Sequence, residues 1–246
     1  MLRRAFSILA IVAFAGCVGG IEESGGADAG SGADANGQDG DGGEAGSGVT
    51  VEFAVLGPNG QPTTQAPIEF EAFIISGLTV QLHDLRVIGD TAPSGNLVYP
   101  SSAVEFPSPA PVQVTFPEAP PGLSSRVSFD VERTWVNESV PEGFGGERLS
   151  VRVEGEMKLG NKNRAFEFID DTQLLVDLAF DKDFAPGRPG KLAVELDPGL
   201  WLGDVDWAAL DGRHNGNQKI QIGMGEEEEV AGPLRTAMPL AFTVPD

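Results

Sequence analysis

The stretch LSVRVEGEMKLGNKNRAFEFI, residues 149–169, alternates apolar and polar side chains over most of its length. Successive side chains of a β-strand point to opposite faces of a sheet, so this alternation predicts strands with one buried face. The polar segment GNKN at 160–163 predicts a turn, and Phe166 and Phe168 follow it on the apolar face. The stretch therefore predicts a β-hairpin at the centre of a β-rich domain.

The register of this hairpin can also be predicted. A turn that uses all four residues of 160–163 places Met157 opposite Phe166 and Glu156 opposite Glu167. A slip of one residue would turn the phenylalanines towards solvent, so the identity of the buried face is strongly specified. The facing glutamates repel each other, and we expect a neighbouring lysine to offset that repulsion only in part.

The same alternation recurs from Val51 to Val244 in roughly ten short segments that are separated by glycine, proline and asparagine. This pattern predicts an all-β fold, a single two-layer β-sandwich that is immunoglobulin-like or jelly-roll-like. At most one short helix is expected, with Asp204 as its N-cap, residues 205–210 as its turns and Gly212 at its end.

Two polar features interrupt the alternation. The phase breaks at His83-Asp84, which predicts a β-bulge in a strand that continues afterwards on the same core face. Neighbouring strand residues point to opposite faces, so we interpret His83 as an exposed strand histidine rather than a catalytic base. The run EEEE at 226–229 is interpreted as a solvated loop tip that discourages edge pairing.

Residues 1–16 have the parts of an export signal: a short basic start, an apolar run and small residues before Cys17. The apolar run is too short to cross a bilayer. The sequence FAGC at 14–17 resembles the lipobox of bacterial lipoproteins, although Phe14 stands where that family prefers leucine. The resemblance implies cleavage before Cys17, acyl chains (palmitate among them) on that residue, and anchorage in the cell envelope, with the outer membrane as the expected site. The basic start fits the general secretory route, and RRAF at 3–6 also matches the core of a twin-arginine signal.

The segment after the cysteine is a tether by composition. Residues 18–48 are rich in glycine, alanine, aspartate and serine and contain no basic residue, which predicts a disordered linker. We therefore divide the chain into a signal peptide (1–16), a lipidated linker (17–49) and a folded domain (50–246). The net charge of −21 excludes a basic nucleic-acid-binding surface, and the single cysteine leaves no disulfide. We expect a monomer.

The folded segment with the most chemistry is WLGDVDWAALDGRHNGN, residues 201–217. One interpretation makes its aspartates calcium ligands, and another makes its tryptophans a platform for sugar rings. In a third interpretation every residue has a structural role: the tryptophans cap the core, and the aspartates stabilise a helix N-terminus. The candidate ligand-binding residues are Trp201, Asp204, Asp206, Trp207, Asp211 and His214.

The sequence contains none of the common catalytic signatures, whether a nucleophile elbow, a zinc-protease helix or a phosphate-binding glycine loop. We therefore expect a protein that is not an enzyme and has no cofactor. Calcium is the one ion whose binding the sequence leaves open. The expected function is a membrane-anchored envelope lipoprotein that presents a binding or structural module. The alternatives are a carbohydrate-binding module and a metal-dependent envelope hydrolase, both using residues 201–217.

Overall fold

The computed structural model describes residues 48–89, 97–117, 122–185, 188–214 and 218–245. The predicted signal peptide, Cys17 and the linker up to residue 47 lie outside this part of the chain. Gly42–Asp246 forms one compact unit, which contains the whole of the described hydrophobic core. In the described ranges, no helix has the length and apolar character that crossing a bilayer requires.

The described ranges contain thirteen β-strands, and the predicted all-β class is confirmed. They are β1 Val49–Leu56, β2 Pro62–Thr63, β3 Ile68–Glu69, β4 Phe73–Gly89, β5 Leu97–Phe106, β6 Val112–Phe116, β7 Gly122–Val131, β8 Val151–Leu159, β9 Lys162–Asp170, β10 Leu174–Phe184, β11 Gly190–Leu196, β12 Ile220–Ile222 and β13 Phe242–Thr243.

The strands form two sheets packed as a sandwich. The first sheet has the order β13-β11-β1-β2, with β6 also paired to β1. The second has the order β10-β7-β4-β8-β9-β12, with β3 and β5 also paired to β4. Both sheets are mixed, because β1 pairs in parallel with β11 and β9 with β12. Phe53 of the first sheet meets Phe129 of the second edge to face, with ring centroids 5.6 Å apart.

The long strand β4 organises the second sheet. Its first half pairs with β8 and its second half pairs with β7. The strand β5 pairs with residues of both halves, from Leu78 to Val87. The register against β7 shifts between His83 and Arg86, and Asp84 has φ of 49°, so the predicted bulge is confirmed. Leu82 and Leu85 both lie in the core as a result.

The central hairpin forms with Phe166 and Phe168 buried, as predicted, but its predicted register is wrong. The turn is Gly160-Asn161 alone, with Gly160 at φ of 63°, so Phe166 lies opposite Gly155 instead of Met157. A two-residue loop with glycine first suits the twist of a hairpin, whereas the predicted loop had four. The shift is two residues and therefore leaves the buried face unchanged.

Three short α-helices lie in the chain after β11, with β12 between the second and the third: α1 Pro198–Leu202, α2 Trp207–Arg213 and α3 Glu228–Ala237. The expectation of at most one helix is therefore wrong, and so is the expected cap, because Asp206 rather than Asp204 caps α2. The predicted loop tip at 226–229 is wrong in part. Glu228 and Glu229 form the first turn of α3, where carboxylates interact favourably with the helix dipole. Short 3-10 helices lie at Glu142–Phe144 and Met238–Ala241.

The side chain of His83 is fully buried, so its interpretation as an exposed histidine is wrong. The reason is the loop 132–150 between β7 and β8, which returns over the outer face of the second sheet. This loop carries Trp135, whose ring stacks on His83 with centroids 4.5 Å apart. Phe144 and Leu149 of the same region form a small second core with Ile169.

Candidate functional site

The two tryptophans of the predicted site segment belong to the core. Trp201 in α1 is 1% exposed, and its indole Nε1 donates to the carbonyl of Leu234 at 3.0 Å. Trp207 in α2 is 4% exposed, and its ring lies 4.7 Å from that of Phe166. A sugar platform requires an exposed aromatic face, and neither ring offers one. The geometry here favours the interpretation in which both tryptophans cap the core.

The aspartates of the segment are separated into three different environments. The Oδ1 atom of Asp206 accepts a hydrogen bond from the backbone N–H of Ala209 at 2.9 Å, as an N-cap does. Asp211 pairs with the guanidinium of Arg164, whereas Asp204 is exposed and has no hydrogen-bond or ion-pair partner among the described residues. A calcium site needs several oxygens around one point, and these three carboxylates do not converge.

Arg164 explains where Asp211 and His214 lie. Its guanidinium, only 8% exposed in β9, also donates to the carbonyls of Gln218 and His214 at 3.1 Å each. The C-terminal end of α2 is thereby attached to the second sheet. The imidazole Nε2 of His214 is 2.8 Å from Glu227 Oε1, which links this end of α2 to the residue preceding α3.

The helix α3 is held against the sheet by Arg235. The Nε of Arg235 bonds the buried carboxylate of Asp170 in β9, and its terminal nitrogens bond Glu228. The hydrogen bond from Arg235, followed by one from the Gly225 amide, lowers the pKa of Glu228. These contacts fix α3 next to α2 and set the width of the space between them.

A groove of about 290 Å³ lies between the helices, and we call it the α2–α3 groove. Apolar side chains form its floor and walls: Trp201, Val205, Ala209, Val230, Pro233, Leu234 and Ala237. Its polar residues are Asp204, Asp206, Arg213 and Glu229. A concave apolar pocket with a few polar groups is the usual form of a small-molecule site, and this volume is at the lower end of the range for such sites.

Three of the six candidate residues line this groove, namely Trp201, Asp204 and Asp206. The other three do not belong to its lining and have the structural contacts described above. Sequence reasoning missed the opposite wall because it interpreted 226–229 as a loop. The signal was present: acidic residues in the first turn of α3 and Arg235 in its last turn match the charges preferred at helix ends.

A second feature that sequence reasoning missed surrounds His83. Both ring nitrogens are buried without a hydrogen-bond partner in the described structure, and the nearest carboxylate oxygen, Glu138 Oε2, is 3.6 Å from Nε2. Glu138 Oε2 accepts instead from the backbone N–H of Trp135 at 3.0 Å. Arg148 donates to the carbonyls of Trp135 and Val136 and so stiffens this loop. Only long-range folding could reveal this arrangement.

No protein-family model matches the chain, and no curated protein matches it either. Among solved structures, the chain is similar to MbnP from Methylosinus trichosporium, with a TM-score of 0.43 and 12% identity, over 65% of this chain and 78% of that chain. The function of this protein therefore has to be inferred from its own residues.

Proposed function

We propose that this protein is a lipid-anchored lipoprotein of the cell envelope whose β-sandwich domain is a non-catalytic binding module. The ligand site that we propose is the α2–α3 groove. The observation that carries the proposal is the groove itself, an open concavity whose lining is mostly apolar.

The position of the groove supports a binding role. Most of its lining belongs to α2 and α3, which are attached to the second sheet by Arg164 and Arg235, and the short connection between α1 and α2 supplies Asp204, Val205 and Asp206. A site on rigid elements loses little conformational entropy when a ligand enters, which favours affinity. The anchor rests on the resemblance of FAGC at 14–17 to a lipobox.

The binding role can be tested with a neutral apolar fluorophore, N-phenyl-1-naphthylamine, and a protein of residues 42–246. We expect its fluorescence to rise on binding. Ala209→Phe places a ring in the groove and should weaken binding about tenfold or more, a change of ~1.4 kcal/mol. Ala208 is exposed on the same helix and does not line the groove, so Ala208→Phe is the matched control.

Equal binding by the two phenylalanine variants would place the fluorophore elsewhere and contradict the proposal. Both alanines are exposed, so neither substitution overpacks the core, and circular dichroism should show the same β-rich fold for both variants.

A further inference from the structure

Among the charged side chains that line the α2–α3 groove, carboxylates outnumber cations. Asp204, Asp206 and Glu229 face a single guanidinium, that of Arg213. Arg213 is itself paired with two carboxylates, because its terminal nitrogen lies 3.1 Å from Glu227 and 3.1 Å from Glu229. The charge of the one cation is therefore already compensated, and the remaining field at the groove is negative.

The other side-chain donor of the lining is also used. The indole N–H of Trp201 points to the carbonyl of Leu234 at 3.0 Å and forms part of the floor. A ligand that accepts a hydrogen bond from this indole would have to break the existing bond, which leaves the buried Leu234 carbonyl unsatisfied. Anions are disfavoured for a second reason, because the carboxylates of the lining outnumber its one guanidinium.

Acceptors, in contrast, remain free at the groove. Asp204 has no hydrogen bond or ion pair in the described part of the chain, and Asp206 uses only its Oδ1 in the N-cap hydrogen bond. Pro233 lies inside α3, where it has no N–H to donate to the carbonyl of Glu229 four residues earlier. Glu229 and Pro233 both line the groove.

We propose that the ligand of the α2–α3 groove is a small amphiphilic cation, an apolar body that carries one amine or ammonium group. This inference rests on the groove being a binding site, as proposed above. The apolar body packs against the accessible apolar side chains of the lining, Val205, Val230 and Pro233, and the cationic group lies towards Asp204 and Asp206. A volume of about 290 Å³ suits a small molecule rather than the surface of a folded partner.

Three ligands with the same tail and different head groups test this inference. Octylammonium, octanol and octanoate are titrated into the protein of residues 42–246 at pH 7 by calorimetry. We expect octylammonium to bind about fivefold more tightly than octanol and octanoate to bind most weakly. Added salt should reduce the difference between the charged ligands, because exposed charges are screened.

The double variant Asp204→Asn, Asp206→Asn removes two charges and keeps the side-chain shapes. Asparagine is as good an N-cap as aspartate, so α2 is retained. We expect the double variant to bind octylammonium no better than octanol, with its affinity for octanol unchanged. Asp181→Asn, an exposed aspartate on β10 that does not line the groove, is the control and should keep the preference for the cation.

The outcomes separate the two proposals. Equal binding of the three ligands, all weakened by Ala209→Phe, would overturn the cationic ligand and leave the groove as a binding site. Binding that Ala209→Phe and Ala208→Phe affect equally, or the absence of binding by all three ligands, would overturn both. If Asp181→Asn loses the preference for octylammonium as the double variant does, the preference reflects only the overall negative charge of the protein. That result would also overturn the inference.

Discussion

Single residues in this protein show how strongly burial changes the role of a side chain. His83 lies in an alternating strand that suggests exposure, yet it is fully buried beneath Trp135, with neither ring nitrogen hydrogen-bonded among the described residues. An unpaired buried polar group costs about 1–3 kcal/mol of stability. We therefore expect His83 to contribute no net stability to the fold.

Replacement of His83 by leucine should leave the domain as stable or make it more stable by up to ~1 kcal/mol, because the unsatisfied nitrogens are removed at similar volume. Urea unfolding of the protein of residues 42–246 measures the change. The neighbouring Leu82 is also fully buried, and Leu82→Ala should cost ~2–5 kcal/mol as an ordinary core truncation. A loss above ~1 kcal/mol for His83→Leu would contradict this, because it would mean that the stacking on Trp135 and the approach of Glu138 outweigh the cost of the unpaired nitrogens.

Glu167 shows the opposite case, a largely buried acid with good partners. Burial by itself raises its pKa, but hydrogen bonds from Lys219 and Arg152, together with their positive charges, outweigh burial and lower the pKa from its ordinary 4.5. The carboxylate of Glu167 lies 2.8 Å from Lys219 and 2.7 Å from Arg152. These cations also offset the repulsion from Glu154, which is opposite Glu167 in the hairpin.

A lowered pKa gives a definite dependence of stability on pH. The contribution of Glu167 is fully present above pH 4.5 and is lost as the pH falls through its lower folded-state pKa. The difference in unfolding free energy between wild type and Glu167→Gln should therefore be largest near neutral pH and should shrink below about pH 4. Unfolding in urea at several pH values measures it, and a difference that grows as the pH falls would reverse the predicted sign. Glu195→Gln provides the control, because Glu195 lies on β11 in the other sheet.

At the scale of elements, the central hairpin depends on a glycine that the sequence pattern does not distinguish. Gly155 in β8 lies opposite Phe166, and a Cβ atom there would be 2.1 Å from the carbonyl oxygen of Ile74 and 2.9 Å from the Phe166 ring. The absence of a side chain therefore allows Phe166 and the backbone of β4 to approach. The observed register brings the aromatic ring of Phe166 over the smallest residue.

Gly155→Ala should destabilise the domain by ~1–3 kcal/mol, as overpacking does, because the backbone of β4 has to move. Thermal unfolding followed by circular dichroism measures the loss. Gly212 in α2 has no heavy atom within 4 Å of a Cβ placed there, so Gly212→Ala is the control and should stabilise the domain by ~0.5–1 kcal/mol. Similar effects of the two substitutions would contradict the packing assigned to Gly155.

At the scale of the whole molecule, the proposed function combines an anchor with a domain of strongly negative charge. The net charge of the whole chain is −21, and a strongly acidic protein is repelled by anionic lipid headgroups. In the proposed function, attachment to the membrane depends on acyl chains at Cys17. Two or more chains give stable anchorage, whereas one gives only marginal binding.

We expect the mature protein to begin at Cys17 and to partition into the detergent phase. Cys17→Ser should release the protein or leave its signal uncleaved, since no other cysteine can carry the lipid. Intact mass spectrometry of the purified protein checks both statements, with Ser24→Ala in the linker as a control that should stay anchored. A mass that corresponds to an unmodified Cys17 would refute the anchor and leave the groove proposals untouched.

The sequence alone determined the features that depend on local periodicity. The alternation from Val51 to Val244 sufficed for the all-β class, and the phase break at His83-Asp84 sufficed for the bulge. Side chains alternate between the two faces of a sheet along each strand, whichever residues of the next strand lie opposite. Phe166 and Phe168 were therefore placed on the buried face even though the predicted register was wrong.

The tertiary structure decided everything that depends on residues distant in the chain. The burial of His83 follows from a loop that begins about fifty residues later, and Trp135 contacts it only because β7 and β8 share one edge of β4. The groove needs α3 to lie next to α2, which Arg235 and Asp170 bring about across 65 residues. Short helices have weak intrinsic stability and are formed mainly by packing, so the sequence pattern did not reveal the wall that completes the site.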